Sequence, residues 1–522
     1  MHDRSGLILK TNIGISNFIL SQLFSFIQMN KIIKTKKTSE KQNTAFKSII
    51  KQLQQEEGVD DKIIHEIDGV VLSEEQQKIL ALAKEGYNIF LTGDAGTGKS
   101  VLLNKIIEVL RDKKNENNKK STVFVTASTG IAAVNIGGCT IHSLTGIGNG
   151  EGDVSELIKK IGLSKNALYN WRMADVIVID EISMLSAPIF TKLNEIAKYF
   201  RRNNNPFGGI QIVVCGDFFQ LPPVTKTGPI EFCFESEAWE ETIQKNCILT
   251  FSFRQKGDNL FLGILKQIKT NTLDSKNEKL LSTRLSTNIK NYKEDFKPVT
   301  LYSHKVSVSK ENETQYSKLS GIEEEYEWKM DSIKQTDTVD WCNAQKTLKL
   351  RVGCQVMLIK NIDFESGLVN GLVGIVEDFS EKSRYPIVKF CNGVKTTIKE
   401  EDFDLKIGDK HVTSIKQIPL ILAWAITIHK SQGMTLSKVK MGLDKVFEYG
   451  QTYVALSRAT SLKGLVLLSF DKSKIKVHPK VIKFYKSINK PTLKITNDTN
   501  PLKRKLEKNE DNNLKPKKIK SQ

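Results

Sequence analysis

The chain has 522 residues, of which 39% are hydrophobic and 26% charged, enough apolar content over enough length to bury several domain cores. That excludes a short peptide scaffold, and no run of about eighteen apolar residues occurs, so a membrane-spanning helix is not expected. Lys and Arg number 78 against 59 Asp and Glu, a formal charge of +19 that favours a polyanionic partner such as nucleic acid or an anionic surface, although residues 1–50 and 501–522 carry 11 of that excess.

Residues 1–66 read as an extension. Positions 4–39 hold no acid, are moderately apolar around 18–26 and then turn Lys-, Gln- and Ser-rich, a composition that suits either a loosely ordered tail or a mitochondrial presequence. Between the two ends of the chain, short β-branched runs alternate with amphipathic segments, as in an α/β protein whose parallel strands are buried on both faces. Strands are predicted over 88–92, 122–126, 176–179, 211–215 and 420–428. Helices are predicted over 101–110, with Leu103, Ile106, Ile107 and Leu110 on one face, and over 189–200, with Ile189, Leu193, Ile196, Ala197 and Phe200 on one face. Residues 348–418 differ, because their short apolar runs near 356–359, 373–376 and 387–390 are broken by Gly and Asn, which reads as a small β-rich insertion. After about residue 485 the sequence is too rich in Lys, Asn and Thr to repay its ordering entropy. Its clusters Lys503-Arg504-Lys505 and Lys515-Pro516-Lys517-Lys518 are similar to a bipartite nuclear address, with a disordered solvated tail or a nonspecific DNA anchor as the other readings. The seven cysteines (139, 215, 233, 247, 342, 354 and 391) are odd in number and widely spaced, so they are expected to be buried small hydrophobes in a reducing compartment, not a disulfide framework or a zinc site.

Chemistry enters with Gly93-Asp94-Ala95-Gly96-Thr97-Gly98-Lys99-Ser100, followed by Val101, which satisfies G-x-x-x-x-G-K-[ST] between a predicted strand and a predicted helix. The glycines permit a path whose N–H groups face phosphates, and the helix N-terminus adds a favourable dipole. Lys99 offers charge to the outer phosphates, and Ser100 a hydroxyl to Mg²⁺. The apolar strand of 176–179 ends in Asp180 and Glu181, where the first can complete the Mg²⁺ shell and the second polarise an attacking water. Gln220, after the strand of 211–215, is placed to sense a terminal phosphate.

Together with Leu72-Ser73-Glu74-Glu75-Gln76, Thr126-Ala127-Ser128-Thr129-Gly130, Gly137-Gly138-Cys139-Thr140-Ile141-His142-Ser143, Pro206-Phe207-Gly208-Gly209, Leu301-Tyr302-Ser303-His304-Lys305 and Thr427-Ile428-His429-Lys430-Ser431-Gln432-Gly433, these motifs make an ordered set. The set resembles superfamily 1 helicases, and within them the Pif (petite integration frequency) family of DNA helicases, over about residues 70–486. The resemblance implies two RecA-like P-loop NTPase domains of α/β class, the first at 67–248 and the second at 249–346 and 417–486, with an SH3-like insertion at 347–416 and a basic tail at 487–522. It implies Gln76 as the adenine reader, and Arg254 and Arg458 as arginines brought from the second domain to ATP held by the first. Thr129, His142, Ser143, His304, Ser431, Gln432 and Tyr453 become the candidates for contact with single-stranded DNA.

The activity so implied is ATP- and Mg²⁺-dependent movement from 5′ to 3′ along single-stranded DNA by a monomer, unwinding forked duplexes and G-quadruplexes in genome maintenance, in the nucleus or the mitochondrion. Rivals are a helicase acting on RNA or RNA–DNA hybrids, a nucleic-acid-binding protein with a relic ATP site, and a clamp ATPase that does not unwind. The relic is disfavoured because Lys99, Asp180, Glu181, Gln220, Arg254 and Arg458 are all present.

Overall fold

The computed structural model describes residues 65–67, 70–114, 118–225, 228–255, 257–287, 296–330, 344–363, 366–407 and 410–488. The acid-free start and the basic clusters after residue 500 lie outside the described residues, as does Cys342.

Six parallel strands form the first sheet, in spatial order Cys139–Thr140, Val123–Ala127, Val176–Asp180, Gln211–Cys215, Ile89–Gly93 and Lys245–Leu249. Side chains alternate across each strand, so both faces need cover. Ile89 and Leu91 pack with Leu102, Leu103, Ile106 and Leu110 of helix Lys99–Asp112, whereas Phe90 packs on the other side with Phe190, Phe218 and Trp239. The second predicted helix is Ala187–Arg201, buried through Phe190, Leu193, Ile196 and Ala197. In register, Ala127 stands opposite Asp180 and Gly93 opposite Leu249. Gly93, Asp180 and Cys215 therefore end neighbouring strands along one edge, where ligands bind in open parallel sheets.

The second parallel sheet runs Ala425–Thr427, Val299–Tyr302, Val439–Gly442 and Leu465–Ser469. The strand predicted over 420–428 is in fact two. Leu420–Leu422 pairs antiparallel with Gln355–Leu358, and Ala425–Thr427 pairs parallel with Val299–Tyr302. The chain changes sheets at Ala423 and Trp424, both buried, so the apolar run carries no break at the crossing.

Antiparallel strands make up the β-rich part, with the sheet of Lys395–Thr397, Pro386–Phe390, Val373–Phe379, Gln355–Leu358 and Leu420–Leu422 as its largest unit. Its pairing starts earlier and ends later than residues 347–416, because Glu323–Glu327 pairs with Thr347–Arg351 and Leu420–Leu422 closes the sheet. Cysteines 139, 215, 233, 247 and 354 are buried, but Cys391 is exposed, because it lies in the turn after Pro386–Phe390 and not on a core face. Among the described residues no helix is long and apolar enough to cross a membrane.

Candidate active site

The phosphate loop leaves the buried strand Ile89–Gly93 and enters helix Lys99–Asp112 through Gly98, whose φ of 80° is left-handed. No side chain caps this helix and its first turn holds no acid, so its N–H groups and dipole are left to an anion. Gly96 has φ +83°, and a Cβ there would stand 2.3 Å from Cβ of Arg254. The Gly96 carbonyl accepts from the N–H of Phe253 (2.8 Å) and of Arg254 (3.3 Å). Arg254 is thus tied by its backbone to the loop it serves, and only its guanidinium reaches the second sheet's segments, donating Nε to Thr435 Oγ1 (2.9 Å) and Nη1 to the Ser457 carbonyl (3.1 Å). Arg254 lies where the loop meets the second sheet's segments, and its neighbour Gln255 donates Nε2 to the Ala459 carbonyl at 3.3 Å. Within the loop Lys99 Nζ donates to the carbonyls of Gly93 and Asp94, each at 2.9 Å, and Thr97 Oγ1 also donates to Asp94 O. Ser100 and Val101 are exposed at the first helical turn.

Asp180 ends its strand and accepts the N–H of Glu181 on Oδ1 at 2.8 Å. Glu181 sits at φ 50°, ψ 44°, a left-handed conformation uncommon for a residue with a side chain and of the kind that clusters at functional sites. Burial raises the carboxyl pKa of Asp180, and burial together with Asp180 pushes that of Glu181 up to about 7, although Lys99 and Arg458 oppose the rise. Such a carboxylate is well matched to a proton acceptor near neutral pH. The hydroxyl of Ser100 and the carboxylate of Asp180 are hard oxygen donors of the kind Mg²⁺ takes, few enough to leave positions for phosphate and water. Asp180 also lies within the field of Lys99, so these groups face a common space.

A cleft of about 460 Å³ joins the pieces, lined by Gln76, the loop from Ala95 to Val101, Glu181, Gln220, Phe253, Arg254, Gly433, Thr435 and Arg458. Gln76 belongs to a capping box: Ser73 N–H donates to its Oε1 at 3.0 Å, which leaves its amide nitrogen beside Gly98. Arg458 is 1% exposed. It donates to the carbonyls of Val454 (2.9 Å), Ser431 (3.3 Å) and Met434 (3.5 Å) and to Ser457 Oγ (2.8 Å), with no carboxylate among these partners. Its charge is therefore left to act on the cleft. Phe253, overlooked in the sequence, presents a half-exposed ring beside Gly98 and edge-on to Phe251, where it can receive a base.

The expected DNA contacts divide. Thr129 caps helix Gly130–Asn135, and its neighbour Ser128 binds the carbonyls of Asp180 (3.1 Å) and Glu181 (2.6 Å), so this segment touches the acids directly. Half-buried His142, its pKa lowered by burial, and exposed Ser143 lie on the short helix Ile141–Thr145. His304 is exposed, with its ring stacked on Phe447 at 5.2 Å. Ser431 and Tyr453 are corrected, since both are buried: Ser431 Oγ donates to the Ile428 carbonyl, and the Tyr453 hydroxyl accepts from Ala95 N–H at 3.1 Å inside the phosphate loop. Gln432 turns to the nucleotide side, where Nε2 donates to Glu181 Oε2 at 2.9 Å.

Residues 71–278 match the PIF1-like helicase family and residues 338–379 the 2B domain of DNA helicase Pif1. The crystal structure of Pif1 helicase from Candida albicans superposes with a TM-score of 0.66 at 42% identity, covering 80% of this chain and 100% of that one. The chain belongs to the PIF1-like helicase family. A Bacteroides Pif1 helicase solved in complex with ADP-AlF3 and ssDNA is 31% identical with a TM-score of 0.54, over 80% of this chain and 97% of that one. The curated ATP-dependent DNA helicase PIF1 of Candida albicans is 39% identical over 521 residues, covering 80% of this chain. This family member spans 56% of that relative's length, and 64% of the human one.

Proposed function

We propose that the chain is an ATP-dependent DNA helicase that moves 5′ to 3′ on single-stranded DNA. The observation that carries this reading is the composite cleft, in which the phosphate loop, Glu181 and Gln220 of the first sheet face Arg458 and Gln432 from segments of the second. Support also comes from the relatives named as ATP-dependent DNA helicases and from the Bacteroides complex with ADP-AlF3 and ssDNA.

Residue by residue, the N-terminus of helix Lys99–Asp112 and the Lys99 ammonium receive the phosphates, and Gln76 with Phe253 receives the adenine. Mg²⁺, held by Ser100 and Asp180, would draw charge from the phosphate oxygens. Glu181 orients and deprotonates the attacking water, Gln220 senses the terminal phosphate, and Arg254 and Arg458 oppose the negative charge of the transition state, a role worth about 10³ to 10⁵ in rate where measured. Gln432 bridges from the second sheet to Glu181, so movement between the sheets reaches the base itself. Thr129, His142, Ser143 and His304 are our candidates for the DNA track, held through backbone contacts and stacking with slight sequence preference.

The partners we assign are single-stranded and forked DNA, with RNA–DNA hybrids as a further substrate, G-quadruplexes as a target and a monomer as the working form. The role is genome maintenance, including replication, repair, recombination and telomere upkeep, in the nucleus with the mitochondrion as a second site. Partial duplexes with a 5′ or a 3′ single-stranded tail test the motor, beside Lys99→Ala. ATP-dependent opening of only the 5′-tailed substrate, lost in the variant, is expected. Opening of only the 3′-tailed one would overturn the polarity, and hydrolysis without opening of either would leave a clamp.

A further inference from the structure

Beneath the nucleotide cleft lies an ionic assembly that none of the motifs names. Lys269 ends helix Asn259–Lys269, and its buried ammonium stands 2.6 Å from Asp94 Oδ1 and 3.5 Å from Asp217 Oδ1. Asp94 is the second residue of the phosphate loop, and Asp217 opens the turn that carries Gln220, whose N–H donates to the Asp217 carbonyl at 2.9 Å. The rings of Phe219, Tyr485 and Tyr453 surround the same ammonium, with centroids at 4.6, 5.3 and 5.8 Å. Two of these rings tie the assembly down: the Tyr453 hydroxyl accepts from Ala95 N–H, and the Tyr485 hydroxyl lies 2.7 Å from Thr92 Oγ1 and donates to Asp217 Oδ1 at 3.3 Å. One cation therefore has partners on the phosphate loop, on the Gln220 turn and on the helix that precedes Arg458.

The charges do not balance without it. Asp217 is fully buried and its Oδ2 has no hydrogen-bond partner. A carboxylate at Asp94, on a loop built to receive phosphate, repels that phosphate unless a cation neutralises it. Burial disfavours the ammonium of Lys269, but Asp217 and Asp94 outweigh it; burial likewise disfavours the carboxylate of Asp94, but Lys269, joined by Lys99 and Lys266, outweighs it, so both stay ionised. Removing one member of such a buried set leaves an uncompensated charge, which costs more than removing both members of a pair.

We propose that Lys269 is a positioning residue of the ATP site: it neutralises Asp94 so that the loop accepts phosphate, and through Asp217 it holds the Gln220 turn in register with that loop. The assignment rests on the ATPase reading above, which wild-type hydrolysis and its loss in Lys99→Ala check separately.

The test is steady-state ATP hydrolysis by the full chain with saturating single-stranded DNA, together with equilibrium binding of a fluorescent ATP analogue. Lys269→Met is expected to raise KM and Kd about tenfold, the scale of one unpaired charge about 12 Å away at an effective dielectric of about 20. Lys269→Arg keeps both within about threefold of wild type, and Asp94→Ser lowers them about twofold. The double variant Asp94→Ser/Lys269→Met recovers the nucleotide affinity to within about threefold, while kcat stays reduced because Asp217 remains unpaired. A double variant as weak as or weaker than Lys269→Met would overturn the proposal, as would an unchanged KM in Lys269→Met. Should Lys269→Met not fold, Lys269→Arg and the double variant decide alone: affinities near wild type in both support the assignment, and a tenfold loss in either refutes it.

Discussion

Gly96→Ala is a one-carbon change whose consequence can be worked from geometry. The new Cβ would stand 2.3 Å from Cβ of Arg254, whereas carbons in contact lie about 3.5 to 4.0 Å apart, so one side must retreat by about 1.2 Å or more. The loop cannot give way easily, because Thr97 and Lys99 hold it from within and Ala95 N–H is bound to Tyr453. Arg254 therefore moves, and its guanidinium leaves the hydrogen bonds to Thr435 and Ser457. A misplacement of about 1 Å at a reacting centre costs about 10²-fold, so kcat for DNA-stimulated ATP hydrolysis is expected to fall about a hundredfold. The left-handed φ adds a conformational cost of about 1 kcal/mol that affects stability alone. Gly257→Ala is the control, since Gly257 has φ +94° but a Cβ added there would meet nothing within 4 Å, and it carries the strain without the clash. Its kcat is expected within about twofold of wild type. Equal loss of kcat in both variants, or a Gly96→Ala rate within threefold of wild type, would refute the displacement of Arg254 as the cause.

Arg458→Lys keeps a charge but not the planar fork that reaches three carbonyls and a hydroxyl, and kcat is expected to fall about 10³-fold while binding of a fluorescent ATP analogue stays within tenfold. Gln432→Glu sets a second carboxylate against Glu181 in place of a donor, and stimulation of ATP hydrolysis by single-stranded DNA is expected to drop at least tenfold, read as the ratio of rates with and without DNA. Tyr453→Phe strands the buried N–H of Ala95, at a cost of about 1 to 3 kcal/mol in chemical denaturation, and the single-strand affinity measured by anisotropy should not change; a clear loss of DNA affinity would restore Tyr453 to the DNA track. Cys391 should react with a thiol reagent well before cysteines 139, 215, 233, 247 and 354, as peptide mass mapping would show.

Local chemistry was legible in the sequence. The phosphate loop, its strand and its helix span some two dozen consecutive residues, and a Gly-rich turn between an apolar run and a 3.6-residue period has few other solutions. The same holds for Asp180 and Glu181, because a strand buried on both faces must end before it can carry two acids. From these motifs and the family resemblance, two parallel sheets and an antiparallel part could be expected in chain order.

Contacts between segments far apart in the chain were decided by tertiary structure alone. The run 420–428 divides between two sheets because both halves are buried, and hydrophobicity does not record which sheet does the burying. Tyr453 and Ser431 left the DNA list because their hydroxyls find partners inside the fold, and Gln432 joined the nucleotide site because its donor meets a carboxylate 251 residues away. Lys269 carried no signal as one lysine among many at the end of an amphipathic helix. The role proposed for it depends on packing that places Asp94, 175 residues earlier, beside it in a largely buried space, where solvent screens an ion pair less than at the surface.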